Sequence, residues 1–332
     1  MKTSSHFVGA EHSKRMAAYQ SSPELQGLME RMNAALEPIE RYQPSGVARP
    51  NLFIFGLPRS GTTLLYQLAA RCFDIGYINN VSARFWLAPL TGVAFAQSLL
   101  GERRDSSFTS DYGKSVDLSG PHEFSYFWQR WLRMTDIESA CRFGGPGDGI
   151  DWTSLVSIIG CLQDRFRAAM VHKTNYVANL MPDFARQLPM PIFVYIERDC
   201  ADVALSILKA RRIYYGDNRT WWATYPPTYA EVKDLPFAQQ IGRQVRDLRA
   251  VYERSMGSVP QDLVVRLSYS ELCESPRVVL RAIQQRVAQT YGFDLGILDG
   301  VPESFPLQRC PEPKLPDELA VLTELRELGL VA

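Results

Sequence analysis

The stretch "FIFGLPRSGTTLLYQLA", Phe53–Ala69, decides how the rest of the chain is read. Apolar residues run into Gly56, Leu57, Pro58, Arg59, Ser60, Gly61, Thr62 and Thr63, and an apolar helical pattern follows at once. A strand that turns through glycines into a helix gathers backbone N–H groups and a helix N-terminus at one point, which suits a phosphate. Gly56 and Gly61 allow a tight turn and close approach to the oxygens. Ser60, Thr62 and Thr63 add hydroxyls, and Arg59 adds a fixed positive charge. The lysine of an ATP-binding P-loop is missing: Thr62 stands in its place.

A second stretch, "PIFVYIERD" (Pro191–Asp199), reads as a buried strand running into the helix pattern "CADVALSILKARRI". Arg198 ends that strand, and Ser206 follows eight residues later, about two helical turns on. Strand C-termini in open α/β sheets border the ligand crevice, and a forked guanidinium there suits a second phosphate. Two further strands are expected at "NLFIFG" and "DLVVRLSY". Helices are expected after Ser22-Pro23, from Thr62 to about Cys72, over "HEFSYFWQRWLRM", over "DWTSLVSIIGCLQDRFRAAM", over "FAQQIGRQVRDLRAVYERSM", after Ser275-Pro276 and from Pro316 onward. In the first of these Leu25, Leu28, Met32, Leu36 and Ile39 share one face. Residues Gly101–Gly120 read as a long loop and Arg142–Asp151 as a Gly-rich turn. Strands alternating with helices predict an α/β, P-loop NTPase-like three-layer fold with a central parallel β-sheet flanked by helices. The expected division is an N-terminal helical extension over 1–48 and one domain over 49–332.

The 332 residues are 46% apolar and 22% charged, ordinary for a globular chain, and Lys+Arg equals Asp+Glu at 36 each. That balance argues against a generic nucleic-acid binder. No apolar run approaches the ~20 residues that span a bilayer, and the N-terminus has no signal-type core. The six cysteines are scattered without a CxxC pair, as expected of reduced thiols in a cytoplasmic protein, and the four histidines lack metal-ligand spacing, so no metal is expected.

On these residues the chain resembles the sulfotransferases that use 3′-phosphoadenylyl sulfate (PAPS). "GLPRSGTTLL" looks like their 5′-phosphosulfate loop, in the version of the tyrosylprotein and bacterial members. "RDCADVALS" resembles the 3′-phosphate motif, "HKTNYVANLMP" the middle Lys-Thr/Ser segment, and "VVRLSYSELCESPRVVLRAI" the late strand and helix, all in family order. The resemblance implies that Arg59, Ser60, Gly61, Thr62 and Thr63 hold the 5′-phosphate and its leaving oxygen. It further implies that Arg198 and Ser206 grip the 3′-phosphate, that Tyr269 contacts the adenine, and that Lys173 lies beside the transferring sulfate. PAPS would be the donor and PAP the product. Cytosolic members carry a basic His two residues after that Lys; here it is Asn175. His122 or Glu123 of "GPHEFSYFW" is then the candidate base, with His172 turned away if its segment is extended. A carbohydrate or small-molecule hydroxyl is the expected acceptor, chosen by Gly101–Gly120, the "HEFSYFWQRW" stretch and the aromatic insertion Tyr214–Tyr229. A P-loop kinase, or an inactive PAP-binding member, is the alternative.

Overall fold

The computed structural model describes residues 14–20, 22–101, 107–111, 114–115, 117–141 and 149–331. At its centre lies β1 (Asn51–Phe55), every residue of which is buried. Strands β2 (Ile75–Gly76), β5 (Ala169–Lys173), β6 (Pro191–Glu197) and β7 (Val264–Ser268) join it in a five-stranded sheet of order β2-β5-β1-β6-β7. All its pairings are parallel. Strands β3 (Ser110–Asp111) and β4 (Lys114–Ser115) form a separate antiparallel pair within the expected Gly101–Gly120 loop. The rest of that loop at 102–106, 112–113 and 116, residues 142–148 of the expected Gly-rich turn, and residues 1–13 lie outside the described residues.

The helices are α1 (Pro23–Leu36), α2 (Thr62–Cys72), α3 (Pro89–Leu100), α4 (Ser125–Trp131), α5 (Ile137–Cys141), α6 (Trp152–Phe166), α7 (Tyr176–Asn179), α8 (Met181–Gln187), α9 (Cys200–Tyr215), α10 (Tyr229–Val232), α11 (Phe237–Gly257), α12 (Tyr269–Glu274), α13 (Pro276–Tyr291) and α14 (Pro316–Glu327). Alternate residues of a strand face opposite sides of its sheet, and β1 uses both sides for packing. Leu52 and Ile54 pack with Leu65 and Leu68 of α2 and Val279 and Ile283 of α13. Phe53 and Phe55 pack with Ile158 of α6, Phe184 of α8, Ile207 of α9 and Leu248 of α11. Helices on both faces explain why the strands read as continuous apolar runs.

The α/β class and the central parallel sheet are as expected, but the P-loop NTPase-like three-layer fold is not. A strand, a glycine turn and a helix make a local anion cradle that recurs in unrelated surroundings, so the loop could not specify the sheet built around it. What surrounds it is a five-stranded parallel sheet flanked by helices, of a type identified below. The helix expected to run from Asp151 to Met170 also ends early. Arg167 takes a left-handed φ of 54° and closes α6 at Phe166, which frees Ala169–Lys173 to form β5. In α1, Leu25 and Leu28 of the expected apolar face remain exposed. That helix docks instead through buried Asn33, whose Nδ2 donates to the Arg84 carbonyl at 2.8 Å and whose Oδ1 accepts from the Leu87 N–H at 2.9 Å.

Candidate active site

The loop after β1 is shaped by two glycines that nothing larger could replace. A Cβ at Gly56 would lie 2.6 Å from the Ile196 carbonyl oxygen and 2.6 Å from Ser60 Oγ. At Gly61 it would lie 2.5 Å from Cδ2 of Tyr269, and Gly61 also has a left-handed φ of 101°. Arg59 is left-handed too, at φ 70°, a conformation that costs a side-chain-bearing residue about 1–2 kcal/mol. Strain of this size persists where the surrounding structure imposes it. Gly61 caps α2, so the first amides of that helix, which no intrahelical carbonyl can satisfy, open onto the loop. Two loop amides are already engaged: Ser60 N–H donates to the Leu57 carbonyl at 3.0 Å, and Gly56 N–H to Asn175 Oδ1 at 3.4 Å. The expected cradle of Gly56–Thr63 amides therefore narrows toward the start of α2. Ser60 is fully buried and its Oγ has no partner.

The structure brings the two anticipated anion sites into contact. Arg59 Nε donates to Ser206 Oγ at 2.9 Å, from the loop after β1 to the second turn of α9. Arg198 Nη1 donates to the Arg59 carbonyl at 3.1 Å, and Arg198 Nη2 to the Gln308 carbonyl. The Arg198 guanidinium also lies 4.4 Å from the centre of the Tyr269 ring and 3.6 Å from Asp202 Oδ2. Asp202 in turn accepts from the Cys310 N–H at 2.6 Å. Asp199 caps α9 and holds the turn that presents this cluster. Tyr269 thus props both Arg198 and Gly61. Its phenol is raised in pKa, first by burial and then by its hydrogen bond with Cys273, so it stays protonated.

A third group comes from β5. Lys173 pairs in register with Ile54 and so projects to the α2 side of the sheet. There its Nζ donates to Thr63 Oγ1 at 2.7 Å and to Glu123 Oε1 in a close ion pair. His172, one residue earlier, points the other way, as expected of a strand. It is stacked on Phe53 at 5.1 Å and edge-on to Trp128. Burial lowers its pKa to about 3, so it is neutral. His122 and Glu123 are both exposed just before α4, but only the carboxylate meets Lys173. His122 Nδ1 accepts from the Phe124 N–H at 2.9 Å, a bond that helps hold the left-handed Phe124 at the helix start.

Asp202, Gln308 and Cys310 were not anticipated as parts of this site. Asp202 stands four residues after Arg198, a spacing that pairs charges on a helix and was a usable signal. The irregular segment around Gln308 has no periodicity that sequence could have offered. Within the aromatic insertion, Trp221 is buried: Arg211 lies over it at 5.2 Å, Tyr229 meets it at 4.9 Å and Tyr225 at 6.1 Å. Much of that aromatic surface is therefore spent on internal packing. Among the described residues, no group of three or more His, Cys, Asp or Glu could hold a metal ion, and no helix is long and apolar enough to cross a membrane.

A family profile described as "Sulfotransferase family" matches residues 50–289, which spans β1, the loop, Lys173, Arg198 and Tyr269. The chain belongs to the sulfotransferase family. Solved sulfotransferases align with it along most of its length but at low identity. Sulfotransferase STF9 from Mycobacterium avium is 12% identical, with 92% of this chain and 78% of that chain covered and a TM-score of 0.47. STF1 from Mycobacterium tuberculosis H37Rv is 12% identical over 78% of this chain and 70% of that one, with a TM-score of 0.44. The sulfotransferase domain from the curacin biosynthetic pathway is 13% identical over 84% and 98%, with a TM-score of 0.41. No curated protein sequence matches. Membership of the family corrects the NTPase-like expectation to an α/β sulfotransferase-type fold, and the chemistry at the level of the family is sulfuryl transfer.

Proposed function

We propose that this sulfotransferase moves the sulfuryl group of PAPS to a hydroxyl of a carbohydrate or small-molecule acceptor and releases PAP. One observation carries the reading. The loop after β1, the Lys173–Glu123 pair after β5, and the Arg198–Ser206 group after β6 meet at the C-terminal ends of three adjacent strands. The residues fit a phosphate-bearing donor: the buried Ser60 Oγ lacks a partner, and the backbone at Gly56 and Gly61 is kept bare of side chain. When bound, PAPS supplies a sulfuryl group already joined to a phosphate leaving group.

The chain's own residues would then do the following. Arg59, the first amides of α2 and the Ser60, Thr62 and Thr63 hydroxyls balance the charge that grows at the leaving oxygen. Arg198 and Ser206 hold the second phosphate, with Tyr269 bordering the adenine. Lys173, donating to Thr63, adds a cation beside the transfer point. Glu123 takes the proton from the acceptor hydroxyl. His122 is the poorer base, because its Nδ1 lone pair is committed to Phe124 N–H and the opposite nitrogen then carries the proton. Half-buried Trp222 and Tyr225 of the insertion border the acceptor, and the neutral overall charge agrees with a partner other than nucleic acid. The catalytic unit is taken as 49–332 and 1–48 as an N-terminal extension, of which α1 is held to the domain through Asn33.

Incubation with sulfur-labelled PAPS and fractionated cell extract, followed by identification of the labelled product, tests this. Label appearing on a hydroxylated acceptor with wild-type protein, and absent with Arg59→Ala, is the expected result. Tight PAP binding with no transferred label from any fraction would overturn the assignment of activity.

A further inference from the structure

Asn175 stands where a proton acceptor would be sought, yet both ends of its amide are occupied. Its Oδ1 accepts from the Gly56 N–H at 3.4 Å, and its Nδ2 donates to Thr224 Oγ1 at 3.1 Å. The first contact is to the opening residue of the phosphate loop. The second is to the aromatic insertion. The insertion is gripped there from behind as well: Gln244 Nε2 of α11 donates to the carbonyls of Trp222 at 3.0 Å and Thr224 at 2.8 Å. Between them Ala223 is left-handed at φ 69°, an arrangement a non-glycine residue keeps only when its neighbours impose it.

We infer that Asn175 is a positioning residue that fastens the Trp222–Tyr225 segment to the phosphate loop, fixing the acceptor-side wall relative to the donor. The inference rests on the donor reading above. A carboxamide has no basic nitrogen, so Asn175 moves no proton. It works because one planar group offers an acceptor to the loop and a donor to the insertion. Rigidity gained by the loop on binding an anion then passes through Asn175 to the wall, and order in the wall favours the donor reciprocally.

Amide hydrogen exchange with and without PAP tests it in the full chain. In wild type, PAP should slow exchange in the loop at 56–63 and also at 222–225. Thr224→Val removes only the far bond of Asn175. It should keep loop protection and lower PAP affinity by no more than about fivefold, while reducing the PAP-dependent slowing at 222–225 by about fivefold, the effect of one hydrogen bond. Thr224→Ser should restore it, and Asn175→Ala should lose it as Thr224→Val does. A PAP response at 222–225 that is absent in wild type, or equal in wild type and Thr224→Val, would overturn the role of Asn175 while leaving the donor site standing. Failure of PAP to protect 56–63 in wild type would instead overturn the donor reading itself.

Discussion

Arg198 offers the sharpest test of the donor site, because its charge can be removed while its aliphatic stem is kept. The Arg198→Met substitution keeps an aliphatic stem over the Tyr269 ring, which the guanidinium now covers at 4.4 Å. It removes the charge and the bonds to the Arg59 and Gln308 carbonyls. A hydrogen bond involving a charged group contributes about 1.5–3 kcal/mol. If that bond goes to the 3′-phosphate, the preference for PAP over adenosine 5′-phosphate should fall by about 10- to 150-fold. Affinity for adenosine 5′-phosphate itself should change far less. Calorimetric titration of both nucleotides against wild type and variant measures the ratio directly, and the ratio cancels any general loosening of the loop. Arg266→Met is the control: that guanidinium, on β7, forms a two-pronged pair with Glu253 of α11, at 2.9 and 2.8 Å. It should leave the ratio unchanged. An unaltered PAP preference in Arg198→Met would refute the second-phosphate assignment.

Other outcomes follow from the same geometry. Glu123→Gln should lower the rate of sulfuryl transfer by about 10²–10⁴ with donor affinity kept, whereas His122→Asn should cost less than tenfold; single-turnover assays run side by side with both variants decide which residue takes the proton. Gly61→Ala should weaken PAP binding at least tenfold, since a Cβ there strikes Tyr269 at 2.5 Å and unseats the support of Arg198. Titration of the Gly61→Ala/Tyr269→Ala double variant should recover part of the loss. His172 is neutral in the fold with its pKa lowered to about 3, so the unfolded chain binds the extra proton below its ordinary value of 6.5. Stability from this group is complete above pH 6.5 and declines toward pH 3, with a slope near 1.4 kcal/mol per pH unit. Denaturant titrations of His172→Phe over that range should show the slope reduced by about this amount.

That Arg59, Arg198 and Ser206 come together was legible because it is written locally. The loop from Gly56 to Thr63 and the Arg198–Ser206 spacing are short runs in which each residue has a geometric reason to be there. Other parts depend on partners distant in the chain. Ala169 and Met170 read as the tail of a helix until Arg167 breaks it, and only pairing with β1 makes Ala169–Lys173 a strand. Whether His172 or Lys173 faces the loop is then a matter of register with β1. That the Glu123 carboxylate pairs with Lys173 needed the contacts themselves, since Glu123 and His122 are adjacent and both polar. The apolar stripe of α1 was correctly periodic but misleading about burial, because Asn33 supplies the attachment through backbone groups at Arg84 and Leu87. The NTPase-like expectation went astray for the reason that one motif was asked to stand for a topology.

The order of the sheet has a bearing on how such a protein can diversify. Lys173 ends β5, and the loop and Arg198 follow β1 and β6; the separation of these three neighbouring strands is set by backbone pairing at about 4.8 Å per step. No exchange of side chains in the crevice can stretch that ruler. Residues 214–229, hung on hydrogen bonds from Asn175 and Gln244, obey no such spacing. On the donor reading proposed above, new acceptors can be recruited by rewriting the hung segment alone, while the grip on the nucleotide is inherited unchanged.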